Sequence, residues 1–195
     1  MLIADILDPL RQLLDEAVAS GEPEPMSMTL ATADGNGRVS ARVVLLKGVD
    51  ARGLRFFTNY ASAKGAQLDA HPQLALCLHW KRVRQGVQVR VEGRGERLPE
   101  AESDAYFASR ARLSQIGAWA SLQSQTLPDR ATFDARVAHY EREFDGRPVP
   151  RPPHWGGILV VPDMVEFWYA EAYRLHDRVR WEWRAGDWHR RLLYP

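Results

Sequence analysis

The chain has 195 residues, 45% of them hydrophobic and 26% charged, with a formal net charge of +1. That length can bury a core of its own, and the near-zero charge leaves no global field drawing it to nucleic acid or anionic membrane, so anion binding has to be local. A lone cysteine, Cys77, excludes a disulfide within the chain and points to a reducing cytoplasm, and no apolar stretch approaches the roughly 20 residues that span a bilayer.

At the N-terminus there is no basic region followed by an apolar one, so no secretory signal is expected. Asp8-Pro9 reads as an N-cap and first helical residue, followed by Leu10, Leu13, Leu14, Ala17 and Val18 at helical spacing and stopped by Gly21. Met26–Ala33 alternates as a strand, Asp34–Gly37 is a turn, and Arg38–Lys47 reads as a second strand with Val43, Val44, Leu45 and Leu46 buried on both faces. Asp50–Gly53 is another turn before a strand at Leu54–Thr58, and two hairpins in series predict an antiparallel meander.

Ser62 caps a short helix running to Leu68. Gln73–Trp80 is a strand in which Cys77 reads as a small buried hydrophobe, and Val87, Val89 and Val91 alternate with Gln88, Arg90 and Glu92 as a half-buried one. Helices are expected over Pro99–Arg110, Leu113–Ser121 and Ala131–Phe144, then an irregular proline-rich stretch over Arg147–Pro153. Strands resume at Ile158–Val161, Val165–Trp168, Tyr173–Trp183 and Trp188–Leu193. Many short strands with few helices between them predict one mainly β domain over residues 1–195, a closed antiparallel barrel with helical decorations.

Several constellations could carry chemistry. Arg174, His176 and Arg178 are two residues apart, so an extended strand would put both guanidiniums and the imidazole on one face. Such a face offers planar donors for an anion and a group that titrates near neutral pH, although an edge strand with solvated arginines would look the same. Arg42 and Lys47 border an apolar strand end, and Lys64 sits at a helix N-terminus, a place that suits phosphate. Tyr106, Arg110 and Ser114 recur every four residues and would share a face of one continuous helix, as anion site or as solvated surface.

Other chemistries are poorly supported. The six histidines show no paired spacing and there is no second cysteine, so no metal site is expected. Neither a Gly-x-Gly-x-x-Gly or Walker loop nor a Gly-x-Ser-x-Gly elbow is present. Trp168, Tyr169, Tyr173, Trp181, Trp183 and Trp188 interleave with six arginines from 174 to 191, a pattern seen in single-strand RNA binders. The near-zero net charge argues against that reading.

Glu166-Phe167-Trp168, five residues, then Arg174-Leu175-His176-Asp177-Arg178 closely resembles the C-terminal signature of pyridoxine (pyridoxamine) 5′-phosphate oxidases. Matches also occur at Arg42–Lys47, Phe57-Thr58, Ser62-Ala63-Lys64, Tyr106–Arg110 with Ser114–Trp119, and Gln123-Ser124, so the resemblance runs from about Asp8 to Pro195. It implies an FMN-binding split barrel that works as a homodimer with sites between subunits, without the longer N-terminal arm of some members. Flavin contacts would come from Arg42 through Lys47 (that is, Val43, Val44, Leu45 and Leu46 included), Phe57, Thr58, Lys64, Gln88, Gln123, Ser124, Trp168 and Arg178. The substrate phosphate would meet Lys47, Tyr106, Arg110 and Ser114, and Arg174 and His176 would hold the reacting ring as catalytic residues. Phe57 stands where the family usually has tyrosine, Ala63 where it often has a cation, and Tyr169 where it has a small or amide residue. The activity implied is oxidation of pyridoxine or pyridoxamine 5′-phosphate to pyridoxal 5′-phosphate with dioxygen as acceptor. The alternative is a split-barrel flavin oxidase for another aromatic, such as a phenazine precursor.

Overall fold

An apolar stripe of Ile6, Leu7, Leu10, Leu13, Leu14 and Ala17 drives the first helix, α1 (Ile3–Ala19), against the barrel. The computed structural model describes residues 2–195. Helix α1 begins five residues before the expected Asp8 cap and carries Pro9 inside it. Interior proline costs about 3 kcal/mol, whereas six buried aliphatic side chains contribute about 1.5–3 kcal/mol for each large one, so the stripe carries the helix through the expected start signal.

Among the described residues nine strands form the sheet: β1 (Ser27–Ala33), β2 (Val39–Leu45), β3 (Gly48–Asp50), β4 (Gly53–Asn59), β5 (Gln73–Trp80), β6 (Val87–Arg97), β7 (Trp155–Tyr169), β8 (Asp177–Arg184) and β9 (Asp187–Leu193). Their order is β2-β1-β5-β6-β7-β4-β3, with β8 and β9 continuing from β7. The meander expected from the first two hairpins does not form: β1 turns to β5, and β4 to β7. At the junction of β2 and β3 the Leu46 N–H donates to Met26 O and the Lys47 N–H donates to Arg55 O, both at 2.8 Å. The two ends of the sheet thus meet at residues 46 and 47, giving an antiparallel split barrel.

The core lies inside, from Leu30, Phe56, Leu76, Trp80, Val89 and Val165 among others. Helices α3 (Glu100–Ala108), α4 (Arg112–Ala120) and α5 (Arg130–Glu143) build a second cluster with Phe107, Ile116, Phe144 and Trp155. Helix α2 (Ala63–Ala70) is capped by Ser62, whose hydroxyl accepts the Gly65 N–H. Among the described residues no helix is long and apolar enough to cross a membrane.

Three expected features change. Val43 and Leu45 are 63% and 46% exposed, because β2 pairs only with β1 and its odd-numbered residues point away from the core; only Leu46 is fully buried. Cys77 likewise is half-buried, on the opposite face of β5 from Leu76 and Leu78. The expected strands at Ile158–Val161 and Val165–Trp168 are one fifteen-residue strand, β7. Pro162 does not end it, because β6 and β7 shift register between Glu92 and Gly93, which leaves Asp163 as the extra residue of a bulge. A Cβ on Gly93 would meet Val161 O at 2.2 Å, so the close approach needs glycine.

The turn from β3 to β4 is tied by Asp50, whose carboxylate accepts the Arg52 N–H and pairs with the Arg52 and Arg55 guanidiniums at 2.9 and 2.8 Å. These bonds, the Arg52 side chain's foremost, hold its pKa down to about 2. A depressed carboxylate stabilises the fold above its unfolded pKa, near 3.9, and the contribution is lost as pH falls through the folded value. Since a third of the side chain is exposed, Asp50→Asn should cost about 0.5–1 kcal/mol at neutral pH after screening. The gap to the parent should close by about pH 2; urea melts at the two pH values check this.

Candidate active site

A cleft of about 510 Å³ opens between β2, the end of β4, α2 and the α3–α4 corner. Its lining includes Val43, Val44, Leu45, Lys47, Phe57, Thr58, Lys64, Tyr106, Arg110, Ser114 and Gln123, all expected as site residues, together with Asn59, Ala111 and Trp155, which were not. Trp155 opens β7 and stacks at 5.5 Å on Phe57, which in turn stacks on Tyr106 at 3.8 Å. Its only sequence signal was an aromatic after a proline run, which reads as plain core.

Tyr106, Arg110 and Ser114 do reach one cleft, though not along a continuous helix. The chain breaks at Ser109–Ala111 between α3 and α4, and the corner turns all three inward. Arg110 lies over the Trp155 ring at 4.6 Å, and its Nη1 is buried without a hydrogen-bond partner among the described residues. Burial pulls its pKa below the ordinary arginine value. A desolvated guanidinium nitrogen with no acceptor is costly, and an anion entering the cleft would satisfy it.

A second cationic group lies by α2. Lys64 Nζ donates to Gln123 Oε1 at 2.7 Å and to Ser62 Oγ, and the Ala63 N–H donates to Ser124 Oγ. Ser124 adopts a left-handed backbone, φ 74°, to face the helix end. Arg42 donates to Thr32 Oγ1, Leu30 O and Gln67 Oε1. Every one of these acceptors is neutral. Burial, and after it the charge of Arg42, lowers the Lys64 pKa. Two close cations on neutral acceptors beside a helix N-terminus fit a phosphate group. The donor set therefore fits a phosphate-bearing cofactor. Arg42 itself sits behind the cleft wall. Leu46, expected as a site residue, is instead in the core and does not line the cleft.

The remaining expected residues gather elsewhere. Across β6, β7 and β8, Gln88, Trp168 and Arg178 stand in one row of the register. Next to them Glu166, only 1% exposed, pairs with Arg178 at 2.7 Å and Arg180 at 2.6 Å. Burial pushes the Glu166 carboxyl up, but the bonds from the two arginines outweigh it and leave the pKa below its ordinary value. His176 and Arg178 line a separate open depression of about 700 Å³ with Tyr194 and Pro195, and it shares no lining residue with the first cleft.

The expected single strand face of Arg174, His176 and Arg178 is not formed. Tyr173 and Arg174 take left-handed φ values of 57° and 64° in a one-turn 3₁₀ segment, Ala172–Arg174, and β8 starts only at Asp177. Left-handed residues break the two-residue alternation, so spacing no longer sets side-chain direction. His176 is instead held by the Glu171 N–H donating to its Nδ1 at 3.1 Å, with its ring 4.5 Å from that of Trp168. A neutral ring accepting at Nδ1 carries its proton on Nε2. Strained non-glycine backbone concentrates at functional sites.

Comparison with known proteins bears on both groups. Residues 14–143 match the family model described as pyridoxamine 5′-phosphate oxidase, and residues 155–195 the one described as the pyridoxine 5′-phosphate oxidase C-terminal dimerisation region. A pyridoxine/pyridoxamine 5′-phosphate oxidase from Xanthomonas oryzae pv. oryzae is 55% identical over 196 residues, covering 100% of this chain and 98% of the relative. The structure of PhzG from Burkholderia lata 383, in complex with tetrahydrophenazine-1-carboxylic acid, is similar with a TM-score of 0.92 at 33% identity over 98% of this chain and 93% of that one. A pyridoxamine 5′-phosphate oxidase-related, FMN-binding protein from Nostoc punctiforme PCC 73102 shares the fold, with a TM-score of 0.79 at 17% identity over 100% of both chains. Family models covering most of the chain and a relative of this identity leave one conclusion: the chain belongs to the pyridoxamine 5′-phosphate oxidase family of enzymes.

Proposed function

We propose that the protein is an FMN-dependent oxidase that converts pyridoxine or pyridoxamine 5′-phosphate to pyridoxal 5′-phosphate. The observation that carries this reading is a cleft served by two cationic groups, Lys64 with Arg42 behind it and Arg110 with Lys47, the second holding a buried guanidinium nitrogen with no partner. Two phosphate-bearing molecules, a flavin nucleotide and a phosphorylated substrate, would satisfy both. Names of relatives that cover the whole chain support the same substrates.

FMN held by these residues would supply the redox chemistry, the net transfer of a hydride equivalent from the substrate to dioxygen with hydrogen peroxide as by-product. The chain's own residues bind and orient. Arg110, Tyr106, Ser114 and Lys47 fix the remote phosphate, so binding energy there aligns the reacting carbon. His176, with its proton on Nε2, and Arg174 hold the pyridine ring and its phenolic oxygen. Because the two groups of residues share no wall within one chain, a second copy would bring its Arg174 and His176 to this cleft. The match of residues 155–195 to a dimerisation region supports such a homodimer. We treat the two matched regions as one domain, since β7 pairs with β4 and β6, and place it in the cytoplasm in keeping with a single thiol.

Purified protein should be yellow, with a flavin spectrum that bleaches anaerobically on adding pyridoxine 5′-phosphate and returns with air. Apoprotein that takes up no FMN, or flavoprotein that this substrate does not reduce, defeats the reading. The likeness to PhzG supports a second reading, oxidation of a phenazine precursor, for which the phosphate contacts would be dispensable.

Ala63, the first residue of α2, is exposed and its N–H faces Ser124 Oγ beside Lys64. Ala63→Arg should tighten FMN by about 0.5–1.5 kcal/mol, as a partly exposed charge-assisted contact. Titration of apoprotein checks this; unchanged affinity places the α2 start away from the phosphate.

A further inference from the structure

Two rows of side chains lie next to one another on one face of the sheet. Gln88, Trp168 and Arg178 make the first, and Arg90, Glu166 and Arg180 the second, each aligned across β6, β7 and β8. Glu166 is the sole buried carboxylate among the described residues of this face and is ringed by guanidiniums. Its Oε1 accepts from Arg178 Nε and Nη2 at 3.0 and 2.7 Å, and its Oε2 from Arg180 Nε and Nη2 at 2.9 and 2.6 Å. Arg90 Nη1 approaches Oε2 to 3.6 Å.

Arg178 is therefore held at three points, the third being Nη1 donating to Tyr194 O at 3.1 Å. A guanidinium has five N–H groups, so two remain to it, one on each terminal nitrogen. They are the pair able to grip a ligand oxygen, and the side chain cannot swing while Glu166 holds Nε and Nη2. An apolar residue of similar volume would serve stability about as well as a buried ion cluster, so fold stability alone is weak reason for this arrangement.

We propose that Glu166 is a positioning residue for flavin binding, acting through Arg178. The proposal rests on the reading above in which Arg178 contacts the flavin, and it adds the group that aims it. Glu166 does not touch the flavin. It turns the Arg178 fork outward beside Trp168 and Gln88, and the shared bonds to Arg180 keep the carboxylate from following Arg178 if that side chain shifts.

The test is FMN titration of full-length apoprotein, followed by flavin fluorescence, with far-UV circular dichroism as the check on folding. Glu166→Gln keeps the size and removes the charge, and it should raise the Kd for FMN about 10-fold or more, the scale seen when an outer partner of a ligand-holding group is lost. Arg178→Ala should raise it comparably. Combining the two should do no more than the worse single change, because Glu166 acts only through Arg178. Combining Glu166→Gln with Lys64→Ala should multiply the two losses, because Lys64 serves a separate group. A carboxylate needed only for stability would give no such split.

Should Glu166→Gln not fold, Glu166→Asp keeps the charge and withdraws it by one methylene, and it should still weaken FMN. Wild-type affinity in either folded variant overturns the proposal, as does a multiplied loss with Arg178→Ala. Wild-type affinity in Arg178→Ala alone removes the flavin role of Arg178 and the proposal with it. Failure of the parent apoprotein to bind FMN strikes instead at the function proposed for the whole chain.

Discussion

Arg110→Ala should weaken pyridoxine 5′-phosphate by about 2–4 kcal/mol, the range for removing one partner of a desolvated charge pair. Unphosphorylated pyridoxine should be affected far less. The reason is local: Arg110 Nη1 is buried, lies at the α3–α4 corner and has no acceptor among the described residues. Only a ligand that brings an anion recovers what that nitrogen loses on leaving water. Steady-state KM for the two substrates, with thermal melts to exclude loss of the Trp155 packing, separates the effects. Equal losses for both substrates would place Arg110 away from the phosphate. Undiminished turnover of a phenazine precursor by the same variant would favour the second reading.

Arg174→Ala and His176→Ala should each lose about 1.5–4 kcal/mol of transition-state stabilisation, read as kcat/KM, while remaining folded and yellow. His176 has its Nδ1 engaged by the Glu171 N–H, which fixes the ring and leaves Nε2 as the proton-bearing atom. Arg174 is held in left-handed backbone, and φ 64° for a non-glycine residue costs about 1–3 kcal/mol. Arg174→Gly relieves that strain and should be more stable than Arg174→Ala, yet just as slow, which separates backbone from side chain. Arg178→Ala should instead lose flavin first and regain part of its activity in excess FMN. If His176→Ala bleaches while Arg178→Ala keeps colour and rate, the division of labour along this segment is wrong.

Much of the barrel was legible because strand and turn signals are local. Gln73–Trp80 alternates cleanly and is β5 residue for residue. Asp34–Gly37 turns as its composition requires, with Asp34 Oδ1 accepting the Asn36 and Arg38 N–H groups. Ser62 caps the helix it was expected to cap, and Asp129 caps α5 in the same way, because a side-chain acceptor three residues before an open N–H is a short-range device. Lys47, Phe57, Lys64, Tyr106, Arg110, Ser114 and Gln123, singled out by the resemblance, lie around one cleft.

What pattern alone determined, then, was the identity of the elements and the residue types that could hold phosphate, since both depend on near neighbours in the chain. Tertiary structure decided the rest. Pro162 stays inside a strand only because Gly93 on β6 lets a bulge form opposite it. Val43 and Leu45 are exposed because they stand on the face of β2 that points away from the core, which apolar content cannot report. Arg174 leaves the strand because Tyr173 and Arg174 turn left-handed, whereas alternation assumes extended backbone throughout. Glu166 entered the sequence reading only as the first residue of the C-terminal signature, and its burial among Arg90, Arg178 and Arg180 exists only once β6, β7 and β8 are laid side by side in register. Each of these outcomes turns on which distant segment lies alongside, and that is set by the closing of the sheet.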